Sequence, residues 1–480
     1  MIQLTCSRLS SFRIVTVSCP WERVLAFLLL MGGLSVQAQS IDQANKKIES
    51  AQQSFPSLQT SELPAQAVES GTSAVKQKSN FINKAANWFR TKDLPGDLQI
   101  HGFASQGYIT TSDNDVFGNS DSGGSFGLTE AGLNVSVRPL PKLQLSAQVL
   151  SRRAGKGNSG MPRLDYAILD YQLYSYDANQ YGIRVGRLKN PFGFYNETRD
   201  VAHTRPSILL PQSIYFDRTR NLGLSGDSVQ LYGETAIGNL GTFSTQFGVW
   251  WPIVSDRDTE ISLIGRDPRI PSNIENQPIG QLNREASYIG RGIFETNDKR
   301  LRLGISGIWL NTSYDPRNGL RDPITTGSLQ FTPIYFSAQY NTERWSITSE
   351  YAIRHFKYDN TFGPMVLNGA DFFGESYYIQ GEYRFTPKWE GFVRYDVLYA
   401  DRSDRNGKEF AAKFGAVPHS RFAKDITVGL RWNVTPEFML RAEYHRVNGT
   451  GWLSRLDNPI TEGPTSQHWD LYAIQASYRF

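Results

Sequence analysis

The sequence predicts an all-β fold, a closed sixteen-stranded antiparallel transmembrane β-barrel with short periplasmic turns and long outer loops. Three observations predict it. From about Leu98 to Phe480, segments of roughly ten residues alternate apolar and polar side chains at period two. The joints between them alternate short with long, as they do when strands pass up and down through a membrane. An export signal precedes them, and the rest of the chain holds no cysteine, so stability must come from a large hydrogen-bonded architecture and not from disulfides.

The signal comes first in the chain. Val24–Val36 is an apolar run shorter than the roughly 20 residues a spanning helix needs, preceded by Arg8, Arg13 and Arg23 and followed by Val36-Gln37-Ala38. Residues 1–38 therefore read as a signal peptide, and Cys6 and Cys19 leave with it. Residues 39–97 are rich in Gln, Ser, Ala, Lys and Asn. They read as a periplasmic leader with helical spacing at Ile41, Ala44, Ile48, Ala51 and Phe55. The 50 Lys+Arg against 46 Asp+Glu give a net charge of only +4, which excludes a nucleic-acid footprint.

Residues 98–480 form the barrel in this reading. The clearest strands are Lys142 to Leu150, Asp165 to Tyr174, Arg300 to Leu310, Arg344 to Arg354, Ser376 to Phe385, Trp389 to Tyr399, Asp425 to Val434, Glu437 to Arg446 and Asp470 to Phe480. Turn chemistry marks short joints at Pro139–Pro141, Asn297–Lys299, Asn341–Glu343, Thr386–Lys388 and Thr435–Glu437. Long joints fall at about 110–126, 151–163, 188–220, 252–284, 312–327, 358–374, 401–423 and 449–467. In the last strand Tyr472, Ile474, Ala476, Tyr478 and Phe480 share an apolar face; Ala473, Gln475, Ser477 and Arg479 share the other. A cation facing hydrocarbon at mid-depth costs about 2–4 kcal/mol, so the phase assigns the outside to the first set. A soluble sandwich would bury that face under a second sheet. Here Tyr and Trp recur near strand ends, as they do at membrane interfaces.

The closing segment DLYAIQASYRF, ending in Phe480, resembles the last strand of Gram-negative outer-membrane proteins, whose terminal aromatic is part of their assembly signal. The span Leu98–Phe480 is similar in layout to a sixteen-stranded porin, and within that group to the phosphate-selective branch. YGIRVGRLKNPFG, from Tyr181 to Gly193, resembles the element with which porins leave their fifth strand for the loop that folds into the pore. The resemblance implies a cell outer-membrane passive channel for small solutes, a homotrimer, contact with outer-membrane lipid and lipopolysaccharide, and handling by the barrel assembly machinery.

The third long joint, 188–220, carries Phe192, Phe194, Ile208, Leu209, Leu210, Ile214, Tyr215 and Phe216, which need a dry surface. Folded inward, it becomes a constriction bearing Lys189, Glu197, Arg199, Asp200, Arg205, Asp217, Arg218 and Arg220. Strand phase points Arg384, Arg394, Asp396, Arg431, Arg441, Glu443 and Arg479 at the pore from the opposite wall. Charges of both signs across a narrow lumen create a transverse field, with at most a weak anion preference.

Enzymes also occupy such barrels, so catalytic signatures bear on function. HExxH, GxSxG, Walker and CxxC motifs are absent, the six histidines lack metal-ligand spacing, and no cofactor is implied. Asp113, Asp115 and Asp121 read as a solvated acidic loop more readily than as a Ca²⁺ site. A barrel protease or lipase, or a structural or adhesive barrel, are the alternatives.

Overall fold

The structure is a computed structural model, and it describes residues 98–480 apart from 265, 266, 268, 270–279, 318–321, 323–325 and 360–368. The signal peptide and leader expected at 1–97 lie outside the described residues.

Long strands follow one another around a single sheet. Gln99–Thr111 (β1), Ser125–Leu140 (β2), Leu143–Ala154 (β3) and Arg163–Tyr176 (β4) come first. Asn179–Lys189 (β5), Ser225–Ile237 (β6), Gly241–Pro252 (β7) and Ser287–Thr296 (β8) follow. Then come Leu301–Asp315 (β9), Gly327–Asn341 (β10), Trp345–Asp359 (β11) and Asp371–Arg384 (β12). Trp389–Tyr399 (β13), Phe422–Asn433 (β14), Phe438–Gly449 (β15) and His468–Arg479 (β16) complete the sheet. Each is antiparallel to its neighbours, and β16 pairs back onto β1 with Tyr108 opposite Ile474. The result is a closed sixteen-stranded antiparallel barrel with no free edge to recruit another chain.

Closure is sealed at the short-turn end. Gly102 and Phe480 exchange backbone hydrogen bonds at 3.2 and 3.0 Å. The Phe480 ring packs directly over Gly102, its Cζ 2.4 Å from where a Cβ would stand, so a side chain there would have to push the ring aside.

The two faces differ as the alternation dictates. Tyr472 and Ile474 are more than half exposed, whereas Ala473, Gln475 and Ser477, in the opposite phase, are buried. Ile426, Val428 and Leu430 repeat the outward pattern on β14. Aromatic pairs stand near the short turns, with Trp389 stacked on Trp432 at 5.1 Å and Tyr340 beside Trp345 at 5.6 Å. Ring bodies with polar tips suit the boundary between hydrocarbon and water.

Several strands run further into the expected loops, β9 to Asp315 and β11 to Asp359, and Gln281–Arg284 adds a short ladder piece against β9. Backbone pairing needs no apolar face, so the ladder continues past the point where the hydrophobic alternation fades. The joint expected at 252–284 also contains the helix Arg257–Ile264.

The inner face is not uniformly polar. Trp250, Ile289, Ile308, Leu310 and Tyr335 form one buried patch inside, and Leu398, Val447, Trp469 and Leu471 form another. This corrects the simple division into a greasy outside and a wet inside: two inner patches are apolar because a loop packs on them.

Candidate functional site: a loop folded into the lumen

The loop begins where β5 ends. Gly186 adopts φ 129° and a Cβ there would meet the Ala167 carbonyl oxygen at 2.1 Å, so the close approach of β5 to β4 demands glycine. Pro191-Phe192-Gly193 then turns the chain inward. Gly193, at φ 56°, leaves room for the Tyr215 hydroxyl, which would stand 2.3 Å from a Cβ. Asn190 closes the neck by donating to the Gly223 carbonyl at 3.0 Å, and Asn196 donates back to the Asn190 carbonyl at 2.9 Å. The inward segment thus runs 190–224, slightly longer than expected, with Lys189 the last residue of the strand.

Two apolar contacts hold it. Phe192, Leu210, Ile214 and Tyr215 pack on the Ile289–Tyr335 patch, with the Phe192 ring stacked 5.0 Å from Tyr335. Ile208 and Leu209 pack on the Trp469–Leu471 patch. The expected dry surface is therefore the barrel's own inner wall.

Polar contacts then fix the register on both sides. Glu350 of β11 accepts from the Tyr215 hydroxyl at 2.6 Å, the Tyr378 hydroxyl at 2.9 Å, Ser337 Oγ at 2.6 Å and the Phe194 amide at 2.9 Å. Across the lumen, Glu130 of β2 accepts from Arg152 Nε at 2.9 Å and from Arg205 Nη2 at 2.8 Å. Lys189 bridges Asp165, at 2.6 Å, and Asp200, which also pairs with Arg220. Asp217 receives Arg152 at 2.8 Å and Arg199 at 3.5 Å, and Glu197 pairs with Arg291 of β8. Arg218 points the other way, toward the outer mouth, donating to the Leu453 carbonyl at 3.5 Å.

The opposite wall divides into two groups. Arg394, Asp396, Arg441 and Glu443 sit beneath the loop and bond to it. Arg394 donates to Ser207 Oγ at 3.0 Å, Arg441 to the Ser207 carbonyl at 3.1 Å, Asp396 accepts from the Ser213 amide at 3.3 Å, and Glu443 accepts from the amides of Ile208 and Leu209. Arg384, Arg431 and Arg479 stand apart at the short-turn end, donating to the Glu343 carbonyl, Asn433 Oδ1 and the Pro436 carbonyl at 2.9, 2.9 and 3.2 Å. The loop reaches toward them: burial, aided by Arg479, Arg431 and Arg441, pushes the His203 imidazole far below its ordinary pKa and keeps it neutral.

The loop thus bridges the lumen from β2–β4 to β8–β15. Instead of facing free charges across an open gap, Arg205 and Asp217 are matched to Glu130 and Arg152 of the β2–β4 wall, and on the far side Arg394 and Arg441 bond the hydroxyl and the carbonyl of Ser207. Glu130, Arg152, Asp165 and Glu350 are the tethers that sequence reasoning missed. Their inward phase was readable, but nothing in their spacing announced partners so distant in the chain.

Outer loops cover the mouth. Lys156 N donates to Asp457 at 2.9 Å, Arg257 to the Lys156 carbonyl at 2.8 Å, Ser454 to Asp258 at 3.3 Å, and Asn458 to the Asp115 carbonyl at 2.8 Å. Between them lies a small open cleft bordered by Asp115, Arg152, Arg218, Asp258, Trp452 and Asp457. Burial, then the neighbouring Asp256, raises Asp258 to about 7. Of the acids in the first loop, Asp113 accepts from Ser112 and Ser466, and Asp115 from the Asp121 amide. No grouping of acids and histidines with metal-site geometry occurs among the described residues.

Among the described residues, a buried acid–His–hydroxyl arrangement at His445 has the wrong geometry for a nucleophile. His445 Nδ1 meets both Asp425, at 2.8 Å, and Thr427 Oγ1, at 3.1 Å, while Nε2 turns to Glu443 at 3.4 Å. A triad needs the hydroxyl on the ring nitrogen opposite the acid.

No family model matches the sequence, and no curated protein matches it. Solved structures with a similar fold include OmpT of Vibrio cholerae in a trimer form, at 11% identity and TM-score 0.48, covering 80% of this chain and 99% of that one. The outer-membrane channel DcaP of Acinetobacter baumannii gives 12% identity, TM-score 0.48 and coverage of 81% and 99%. An anion-selective porin from Comamonas acidovorans gives 12%, 0.47, and 80% and 98%.

Proposed function

We propose that the chain is a porin, a passive outer-membrane channel through which small hydrophilic solutes move down their gradients. The observation that carries this reading is the tethered loop 190–224. Sixteen strands enclose a lumen too wide for wall side chains alone to fill, and the loop narrows it with polar contacts to both sides. Passage then runs between loop and wall, and solutes are selected by size and by the charges lining the gap. A weak anion preference is supported by Arg218 and Arg354. These two donate to carbonyls, of Leu453 at 3.5 Å and Tyr399 at 3.0 Å, and make no ion pair among the described residues. Homotrimeric assembly belongs to the same reading.

The test is insertion of the purified chain into planar bilayers, with parallel assays on peptide and ester substrates. Stepwise ohmic currents and inertness toward both substrates are expected. Hydrolysis without conductance would replace the channel by a barrel-borne enzyme.

A further inference from the structure

On the long-loop side of the inward loop, three phenylalanines share one level of the inner wall. Phe331 of β10 stands opposite Phe356 of β11, and Phe356 stands opposite Phe372 of β12. Their rings run as a ladder across the three strands, with centroids 4.6 and 5.2 Å apart. Leu329, Tyr335, Tyr358 and Tyr378, in the same phase on these strands, are buried, whereas the three phenylalanines are only half-buried. The ladder therefore keeps aromatic surface that the protein leaves uncovered.

Guanidinium groups frame it. Arg354 lies 6.0 Å from the Phe356 centroid and 5.1 Å from that of Phe216, which also has Arg218 at 5.8 Å. Arg421, in the short turn Pro418–Arg421, lies 5.9 Å from the Phe372 centroid and 4.1 Å from that of Phe410. In each of these three arginines Nε is buried without a hydrogen-bond acceptor. Burial, then the neighbouring Arg455 and Arg421, lowers Arg218 to about 10, so the guanidinium groups feel one another. Acids stand further off: Asp401 and Asp404 near Arg421, Asp258 near Arg218 and Asp396 near Arg354. They accept from Ser403, the Phe410 amide, Ser454 and the Ser213 amide respectively. Four arginines against four acids leave little net charge here, so charge alone selects no solute.

The arrangement selects instead for two properties held in one molecule. A planar ring laid against the ladder gains offset stacking, and a carboxylate reaching its rim gains paired N–H donors. A small anion obtains the second gain without the first. A neutral ring obtains the first without the second.

We propose that Phe331, Phe356 and Phe372, with Arg218 and Arg421 at their rim, bind an aromatic carboxylate. That this acid is a solute entering the channel rests on the reading of the chain as a porin; the binding itself does not.

The experiment is equilibrium dialysis of radiolabelled benzoate, acetate and benzyl alcohol against the full chain in mild detergent at neutral pH, with empty micelles subtracted. Wild type retains benzoate about tenfold better than either of the other two, an arm that needs no variant to fold. F356L/F372L, which keeps apolar volume at both positions, lowers benzoate binding about tenfold and leaves acetate unchanged. R218Q/R421Q lowers benzoate to the level of benzyl alcohol. R187Q/R284Q, altered at outward cations that share Asp227, retains benzoate as wild type does. Acetate held as tightly as benzoate leaves only charge, and benzyl alcohol held as tightly leaves only an apolar surface; either overturns the proposal. Undiminished benzoate binding in both site variants places the acid elsewhere and overturns it too. Planar-bilayer currents from the same preparation test the porin reading separately. Current without benzoate retention removes this site and keeps the channel, whereas retention without current keeps the site and removes its place on a transport path.

Discussion

At the scale of single residues, the loop is held by two carboxylates on opposite walls, and they hold it differently. Glu130 is an ionic tether: it neutralises Arg205 and Arg152 in a buried setting. Glu350 gathers hydrogen bonds from two tyrosines, a serine and an amide. Glu130→Gln leaves two guanidinium groups short of their acid and is expected to cost about 3–5 kcal/mol. Tyr215→Phe removes the hydroxyl that donates to Glu350 and accepts from the Phe194 and Tyr195 amides, and is expected to cost about 1.5–3 kcal/mol. Thermal unfolding in detergent checks the order, which the reverse ranking contradicts. The loop's own charges were legible because they crowd a short segment. Their partners were not: Arg205 and Glu130 are 75 residues apart, and Phe194 and Glu350 are 156 apart, so pairing appears only when the sheet closes.

At the scale of elements, YGIRVGRLKNPFG announced the inward turn, and the structure supplies the reason in Gly186 and Gly193. The sequence could not show that the loop crosses the lumen, because period-two phase says which face a residue takes and not what lies on it. The apolar inner patches at Ile289–Tyr335 and Trp469–Leu471 were hidden for the same reason. Arg199→Glu with Arg205→Glu sets two carboxylates against Asp217 and Glu130, so the loop should loosen and the lumen turn more cation-selective. Reversal potentials in a salt gradient should move accordingly, and an unmoved potential takes both residues out of the pathway. In the outer loops, Asp258 has a folded pKa of about 7 against an ordinary 3.8. The fold favours its neutral form, so its contribution to loop packing is full below about pH 4 and is lost as pH rises through 7. Hydrogen exchange in 155–160, corrected for intrinsic rate, should be slower at pH 5 than at pH 8, and Asp258→Asn should abolish the difference. Equal protection of wild type at both values contradicts this.

At the scale of the whole molecule, strand number, order and closure follow from alternation, turn chemistry and the lack of any other way to satisfy backbone groups in hydrocarbon. That much was legible, since lipid outside and polar groups inside impose a strict period on every strand. Strand ends were less legible, because pairing outlasts the membrane. The molecule as a whole is a hollow sheet narrowed by one piece of its own chain, and ion flow tests that claim most directly. Single-channel current should be recorded for wild type and for the chain lacking residues 199–216, which removes the middle of the bridge while keeping Asn190, Gly193 and the neck. A clearly larger current in the shortened chain is the result predicted. An unchanged current would mean that the loop does not limit passage, and would contradict a lumen narrowed by residues 190–224.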